Sequence, residues 1–571
     1  MKRSTVAAAV PILVAGSLLL PLATPAWAQA ISAPTITLTS VADTTSTAIP
    51  GGSGRFTNFI PQDPLAPGDP WISAGNVAFW GAGAGQQGIY ALRYGVLGKV
   101  ADLNTPIPGG TGHFVAHPPD PCISGGNVAF VGEGDGGQAG IYVGWPPSPI
   151  QPPDPVKVID LHTIIPGGTG AFVGVAPDPM ISGQNVVFIG EGASGQQGVY
   201  ASFIVNVATP GDPINIADLN TAVPGGTGTF LAFGRWGTTP GAVVSGTTVA
   251  FIGASAGGGG IYVKVPVDPT GGRAAVDFNT AIPGGTGNFN QFWNLSLDGA
   301  NLAFVGGVET PIKLGEQVFF EITQQGVYTV AFPGDPISPS ALNKIADLNT
   351  LVPGTTATFT AFGNVAIDPQ HVVFDAWYSA DGQTSVHGLF TNLTGTLTEL
   401  VDTTDTINGK PLADFSFGVG GFSGNQVVFA AQYADGSEGI GMATVSGNRC
   451  PLSAGYWKNH TNAWPVTSLI VGNQTYTESQ LLSLLNTSTN SDASLVLARQ
   501  LIAAKLDVLN FANPASVSST IAKADGQLAQ YLGQLPYSVG TNSSAAKAML
   551  NAATLLNNYA SDLLTPGCSA Q

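Results

Sequence analysis

Between about residue 36 and residue 446, apolar positions alternate with polar or glycine positions. A period of two predicts short β-strands, not helices. One stretch shows the unit: a Phe-bearing segment at Phe114, then "ISGGNVAFVG" (Ile123 to Gly132), a glycine-rich tip, "GIYVG" (Gly140 to Gly144) and "VIDLHT" (Val158 to Thr163). These are four short strands separated by Gly, Pro, Asn and Asp turns.

The unit repeats. A Thr opens each Pro-Gly turn and a Phe follows nine residues later, in the pairs Thr47/Phe56, Thr105/Phe114, Thr163/Phe172, Thr221/Phe230, Thr280/Phe289, Thr350/Phe359 and Thr406/Phe415. Successive Phe residues lie 58, 58, 58, 59, 70 and 56 apart, and the seventh unit keeps the length while losing the glycine wording. Seven units of four strands predict a β-propeller. Its two ends are complementary: "ITLTSVADTT" (Ile36 to Thr45) is a lone fourth strand, and the last unit stops after its third, "GIGMATV" (Gly439 to Val445). Pairing them closes the ring and leaves no open edge.

After Cys450 the period changes to three and four. Leu495, Ala498, Ile502, Leu506 and Leu509 form one predicted helical stripe, and Ala545, Ala548, Ala552, Leu555, Tyr559 and Leu563 form another. Thr477 to Gln480 reads as a capping box, and Ser491-Asp492 and Ser543-Ser544 as helix starts. The expected fold class is therefore an all-β seven-bladed propeller over 31–446, its N-terminal strand closing the last blade, followed by a small all-α domain over 450–571 with about four helices.

The units resemble those of TolB-type and related WD-like propellers, in "PCISGGNVAFVG", "GQAGIYVG" and "VIDLHT". That resemblance covers Ile31 to Ser446, departs from the six blades usual for TolB, and implies the strand order with the Phe-bearing strand innermost. It implies no activity. The segment "CPLSAGYWKNHTNAWP", with "LARQLIAAKL" (Leu497 to Leu506), resembles a module with a GYWKNH signature found at the ends of secreted bacterial proteins. No defined chemistry follows from it. Tyr456, Trp457 and Trp464 are expected to pack, and Trp457, Lys458, Asn459 and His460 are the candidate residues of this module.

The chain's first residues change the picture of compartment. Lys2 and Arg3, the apolar run Val6 to Leu22 and Ala26-Trp27-Ala28 read as a secretory signal over 1–28. Pro11, Gly16 and Pro21 interrupt the run, and no later segment is apolar enough to span a bilayer. A secreted or periplasmic protein is expected, and Cys450 and Cys568 suit a disulfide there. Cys122 fills a slot that holds Trp71 and Met180 in other units, so it reads as a buried filler. The net charge of -17 argues against a nucleic-acid partner.

Several chemical motifs dissolve in this context. "TPIPGGTGHF" (Thr105 to Phe114) lacks the Lys-Ser/Thr and helix of a phosphate loop and fits a type II turn. Gly132 to Gly137 and Gly190 to Gly195 match a dinucleotide fingerprint, but a strand follows, so they are hairpin tips. Ser255, in Gly253 to Gly257, occupies the same slot and is no nucleophile elbow. His113 and His117, four apart on a strand, are too distant to share one metal ion. A recurrent Asp (Asp43, Asp102, Asp160, Asp218, Asp277, Asp347, Asp402) reads as a turn cap, with calcium binding as the alternative. No other cofactor is expected.

Units differ most just before the Phe, at Arg55, His113, Ala171, Thr229, Asn288, Thr358 and Asp414. A channel mouth made of Arg55, His113, Arg235, Trp236, Asn288, Gln291, Trp293 and Asp414 is the candidate ligand site. The expected function is a monomeric, secreted, non-catalytic binding or scaffold protein for an extracellular glycan, peptide or envelope protein. A propeller hydrolase or lyase acting on polysaccharide or peptide is the alternative.

Overall fold

Thr35–Asp43 runs antiparallel to Glu438–Ser446, with Ile36 opposite Val445 and Asp43 opposite Gly439. The first ribbon of the chain thus completes the last sheet, and the ring closes. A computed structural model describes residues 34–561 apart from 62–67, 146–153, 204–210, 235–239, 267–271, 315–316, 333–340, 369–370, 448, 490 and 515. The expected leader and Cys568 lie outside the described residues.

Seven antiparallel sheets follow one another in chain order. In the first, Trp71–Ser73, Asn76–Gly83, Gln86–Arg93 and Val96–Asp102 run from the centre outward. The second blade's innermost strand is broken into Phe114–Ala116 and Cys122–Ser124, because Pro118, Pro119 and Pro121 between them have no N–H to give to a ladder. The fifth and sixth blades keep theirs whole, as Gln291–Asp298 and Phe359–Asp368.

Aromatic residues fill the space within each blade. Phe114, Phe130 and Tyr142 are buried, with the Phe114 ring edge-on to Tyr142 at 5.0 Å and to Phe130 at 6.0 Å. The same trio recurs as Phe172, Phe188 and Tyr200, and as Phe230, Phe251 and Tyr262. Glycine makes the trio possible: a Cβ on Gly132 would lie 2.3 Å from Phe114 Cε1. His117 occupies a slot that holds Phe in other blades, its ring tilted by 54° to Phe114 at 4.8 Å, and burial pushes its pKa down to about 4.

The repeated glycine turn is a building device. Gly110 N–H donates to Ile107 O at 3.1 Å, and Gly109 has φ +71°, which with Pro108 before it makes a type II turn. Gln138, at the next hairpin tip, bolts it down: its Oε1 accepts from Thr111 N–H at 3.0 Å and its Nε2 donates to Thr111 O at 3.1 Å. Gln196 holds Thr169 in the same way. The recurrent Asp caps the turn, as where Asp102 Oδ1 accepts from Asn104 N–H at 3.1 Å and from the Thr105 hydroxyl at 2.9 Å. Asp160, Asp218, Asp277 and Asp347 repeat both bonds.

The C-terminal domain holds helices α1 (Ala454–Asn459), α2 (Glu478–Asn486), α3 (Ala493–Leu509), α4 (Ser518–Leu528) and α5 (Ser544–Ala560), with a hairpin, Ser468–Val471 and Gln474–Thr477. Thr477 and Gln480 form the expected capping box, and Asp492 and Ser543 cap α3 and α5. On α3, Leu495, Ala498, Ile502 and Leu506 are buried as the spacing predicts. On α5 the stripe is shifted. Ala552 and Tyr559 are buried as the spacing predicts, but Ala546, Met549, Ala553 and Leu556 face inward with them, whereas Ala545, Ala548 and Leu555 are exposed; Leu563 lies outside the described residues. An alanine-rich helix offers two overlapping stripes, and the one carrying Met549 and Leu556 buries more apolar area. No helix among the described residues is long and apolar enough to cross a membrane.

Candidate functional site

Each innermost strand ends on one ring of equivalent positions: Ser73, Ser124, Ser182, Ser245, Asp298, Asp368 and Ser423. The side chain at each position reaches the turn of the next blade. Ser73 Oγ accepts from Gly125 N–H at 3.0 Å, Ser124 from Gly183 at 2.8 Å, Ser182 from Gly246 at 2.9 Å and Ser245 from Gly299 at 2.8 Å. Asp368 accepts from Gly424 N–H, and Ser423 from Ala74 N–H at 3.1 Å, which carries the circle from the seventh blade back to the first. Among the described residues Asp298 makes no such latch; it accepts a long bond of 3.5 Å from the Ser245 hydroxyl.

The helical domain sits over this ring. Tyr94, on the first blade, donates its hydroxyl to Gly472 O at 3.1 Å, and Leu509 at the end of α3 rests on Gly424. Phe511 joins the apolar core of the seventh blade. Asp507 fixes the domain's own start by accepting from Leu452 N–H and from Trp457 Nε1, both at 2.8 Å.

Ring and helical domain together line a cavity of about 1110 Å³. Trp71, Met180, Val244, Leu297 and Val419 form its apolar floor, and Leu469, Ile470, Val508, Leu509 and Ile521 its apolar roof. Hydroxyl groups of the ring serines and of Thr467, Ser468, Thr475 and Thr477 are the polar part. A mostly apolar hollow with a few placed polar groups is the usual make-up of a small-molecule site.

The ring also holds charge. Burial, and then the neighbouring Asp368, push the Asp298 carboxyl up to about 7; burial pushes Asp368 up to about 6 against hydrogen bonds from Gly424 and Ser423. Lys505 on α3 also lines the cavity, but its ammonium is spent on Asp525 Oδ2 and Ile470 O, both at 2.6 Å.

Farther along the innermost strands, three Asp-Pro carboxyls sit where the strands break. Burial, followed by the charges of Asp69 and Asp178, pushes Asp120 up to about 8. Burial pushes Asp178 up to about 7, and Asp69 up to about 6 against a bond from Ser416. Among the described residues no group of three or more His, Cys, Asp or Glu is arranged to hold a metal ion.

A second polar cluster joins blades six and seven. His387 Nε2 lies 3.1 Å from Asp375 Oδ2 and its Nδ1 lies 2.9 Å from Asp414 Oδ1, while the imidazole is stacked between Trp377 at 4.2 Å and Phe415 at 4.0 Å. Burial opposes its charge, yet the bonds to the two carboxylates prevail and hold the imidazole above its ordinary range. With both nitrogens engaged, it is a clamp and not a free base.

The residues singled out from the sequence lie elsewhere. Arg55, His113 and Asn288 sit on exposed bridges of the glycine turns, at the opposite end of the innermost strands from the ring. Arg55 donates to Thr45 O at 2.7 Å. Gln291 donates to Glu309 Oε2 at 2.9 Å, and Trp293 packs against the sixth blade's core. Asp414 is the one that belongs to a cluster, with His387. Arg235 and Trp236 lie outside the described residues. In the C-terminal module Trp457 is fully buried, whereas Asn459 and His460 are exposed and Lys458 half-exposed. His460 stacks on Tyr456 at 4.3 Å. Cys122 is buried and free, its thiol pushed up to about 12 by burial. Sequence reasoning missed the ring itself; its signal was the Ser or Asp closing "WIS", "CIS", "MIS", "VVS", "SLD", "AID" and "GFS".

No family model matches the chain, and no curated protein matches it in sequence. Solved structures similar to it include a puromycin hydrolase (14% identity, TM-score 0.35, covering 65% of this chain and 49% of that one). Others are the β-propeller domain of the trilobed protease from Pyrococcus furiosus (12%, 0.32, 59% and 84%) and the WD40 domain of coronin from Toxoplasma gondii (10%, 0.31, 72% and 86%). The match spans about half the length of the puromycin hydrolase. At these identities nothing about chemistry transfers, and the architecture stands on the chain's own strand pairing: a closed seven-bladed propeller with a helical domain over one end.

Proposed function

We propose that this is an exported, monomeric, non-catalytic binding protein whose ligand is a small molecule held in the chamber between the seven-membered ring and the helical domain. The observation that carries the reading is the chamber itself: about 1110 Å³, lined by apolar side chains of both the ring and the helical domain with hydroxyl and carboxyl groups among them. The expected secretory leader and the resemblance of the C-terminal segment to a module of secreted bacterial proteins support export. Among the described residues no Ser, Thr or Cys side chain is hydrogen-bonded to a histidine ring, so a nucleophilic peptide hydrolase has no specific observation in its favour.

Thermal-shift measurements on the mature chain with a panel of small amphipathic molecules, repeated on Thr475→Trp, test this reading. Thr475 lines the chamber, is exposed and among the described residues makes no side-chain hydrogen bond, so an indole there fills the space without breaking one. Stabilisation of the parent by some panel members, abolished in a Thr475→Trp protein of unchanged basal melting temperature, is expected. Equal stabilisation of both proteins would place the site outside the chamber.

A further inference from the structure

We infer that the chamber selects amphipathic organic cations, with a primary ammonium bound between Asp298 and Asp368 and the apolar body lying against Trp71, Met180, Val419 and Leu509. The inference rests on the chamber being the binding site and adds the chemical class of what it takes.

Three observations carry it. First, the ring position is a serine in five blades and an aspartate in two adjacent ones, so the negative charge is gathered on one side of the chamber. A serine suffices for the structural task, since Ser73, Ser124, Ser182, Ser245 and Ser423 all latch the next turn. The two carboxylates are therefore in excess of what the ring needs. Second, Asp298 is half-buried and lines the cavity, yet among the described residues it accepts one hydrogen bond, a long one of 3.5 Å at Oδ1. A carboxylate partly withdrawn from water and poor in donors is stabilised when a proton or a cation meets it. Third, among the described residues lining the chamber no cation is placed to meet it, and burial holds His371, paired across the hairpin from Asp368, towards its neutral form. The other ionisable groups lining the chamber are Tyr94, which donates to Gly472 O, and Lys505 and Asp525, which neutralise each other.

Two carboxyls facing one space retain a proton that an ammonium can replace. The raised pKa values of Asp298 and Asp368 agree with such a shared site, because each charge disfavours the other until a cation arrives. Fewer than three ligating side chains converge here, so an ammonium suits the site better than a metal ion. The apolar floor and roof then take a hydrocarbon or aromatic body, which a strongly hydrated inorganic cation does not offer.

Isothermal titration of n-hexylammonium chloride and of 1-hexanol into the full mature chain tests the inference, with Asp298→Ser/Asp368→Ser as the paired variant. Serine is native at five ring positions, so this variant keeps the ring's own chemistry, and an unchanged melting temperature verifies its fold. The expected result is a preference of about tenfold or more for the ammonium. That preference rises between about pH 6 and about pH 8, as the pair gives up its proton, and the heat depends on the buffer that receives it. In the double variant the preference is lost while 1-hexanol binds as before. Equal affinities of the parent for both probes, or a preference that survives the double substitution, overturn the inference and leave the chamber reading standing. Failure of the parent to bind either probe overturns both.

Discussion

Ser423 Oγ accepts a hydrogen bond from the backbone N–H of Ala74 at 3.1 Å, although 349 residues separate them. The bond joins the innermost strands of the last blade and the first, beside that from Ile72 N–H to Gly420 O at 3.0 Å, as the pairing of Thr35–Asp43 with Glu438–Ser446 joins the blades at the outer edge. Six of seven ring positions make the equivalent bond, so the circle is stitched at its narrow edge by side chains and at its wide edge by one shared sheet.

Ser423→Ala should lower stability by about 1 kcal/mol, the ordinary value of one such bond. Removal of residues 35–43 should cost far more, because it exposes the edge Glu438–Ser446. Urea denaturation midpoints of the two variants check this, and equal losses would contradict it.

Gly132→Ala places a Cβ 2.3 Å from Phe114 Cε1 in a fully packed blade. A loss of about 1–3 kcal/mol is expected for such overpacking. Adding Phe114→Leu to Gly132→Ala should recover part of it, whereas purely additive losses would show that the ring contact is not the cause.

Stability should rise on acidification from about pH 8 to about pH 5. Asp120, Asp178, Asp298, Asp368 and Asp69 hold their protons to about 8, 7, 7, 6 and 6 in the folded chain against an ordinary 3.8. The folded state therefore binds more protons across this interval, and stability falls as the pH rises through it. His387 acts in the same direction: its raised value contributes stability in full below its ordinary 6.5 and loses it as the pH rises through the folded value. Two groups oppose this: His117, pushed down to about 4 by burial, costs stability as the pH falls below its ordinary 6.5, but it is outnumbered by the raised carboxyls, and Asp414, held below 3.8, loses its contribution only in strong acid. Urea midpoints across this range, for the parent and His387→Gln, measure it; the variant should show the shallower dependence, and a midpoint higher at pH 8 than at pH 5 would contradict the account.

A peptide map without reductant should show one cross-link, Cys450 to Cys568. Cys122 should resist alkylation in the native protein, since it is buried with a thiol at about 12 and accepts from Ile181 N–H at 3.2 Å. Rapid native labelling of Cys122 would show that its slot is not packed as described.

The propeller was legible because its determinants are local and repeated. Each Phe, glycine turn and Asp cap acts within one unit, so a period near 58 residues exposes them together, and the complementary end strands follow from counting. What acts between units was harder to read. The Ser of "CIS" and "MIS" stood in plain sight, but its partner is a backbone N–H in the next blade, at Gly183 for Ser124 and at Gly246 for Ser182. His387 meets Asp375 and Asp414, 12 and 27 residues away on different strands, and no spacing rule links them. The chamber was illegible for the same reason: its roof comes from Leu469 to Ile521 and its floor from all seven blades. Variation among units drew attention to Arg55, His113 and Asn288, and variable positions gather at exposed turns as readily as at a site.

The chamber as binding site is tested most directly by a crystal structure of the mature chain with n-hexylammonium chloride. The account predicts the alkyl chain between Trp71 and Leu509, with its nitrogen within hydrogen-bonding distance of Asp298 or Asp368. A chamber closed by protein side chains, or a probe bound instead at the Arg55 and His113 end of the propeller, would contradict it.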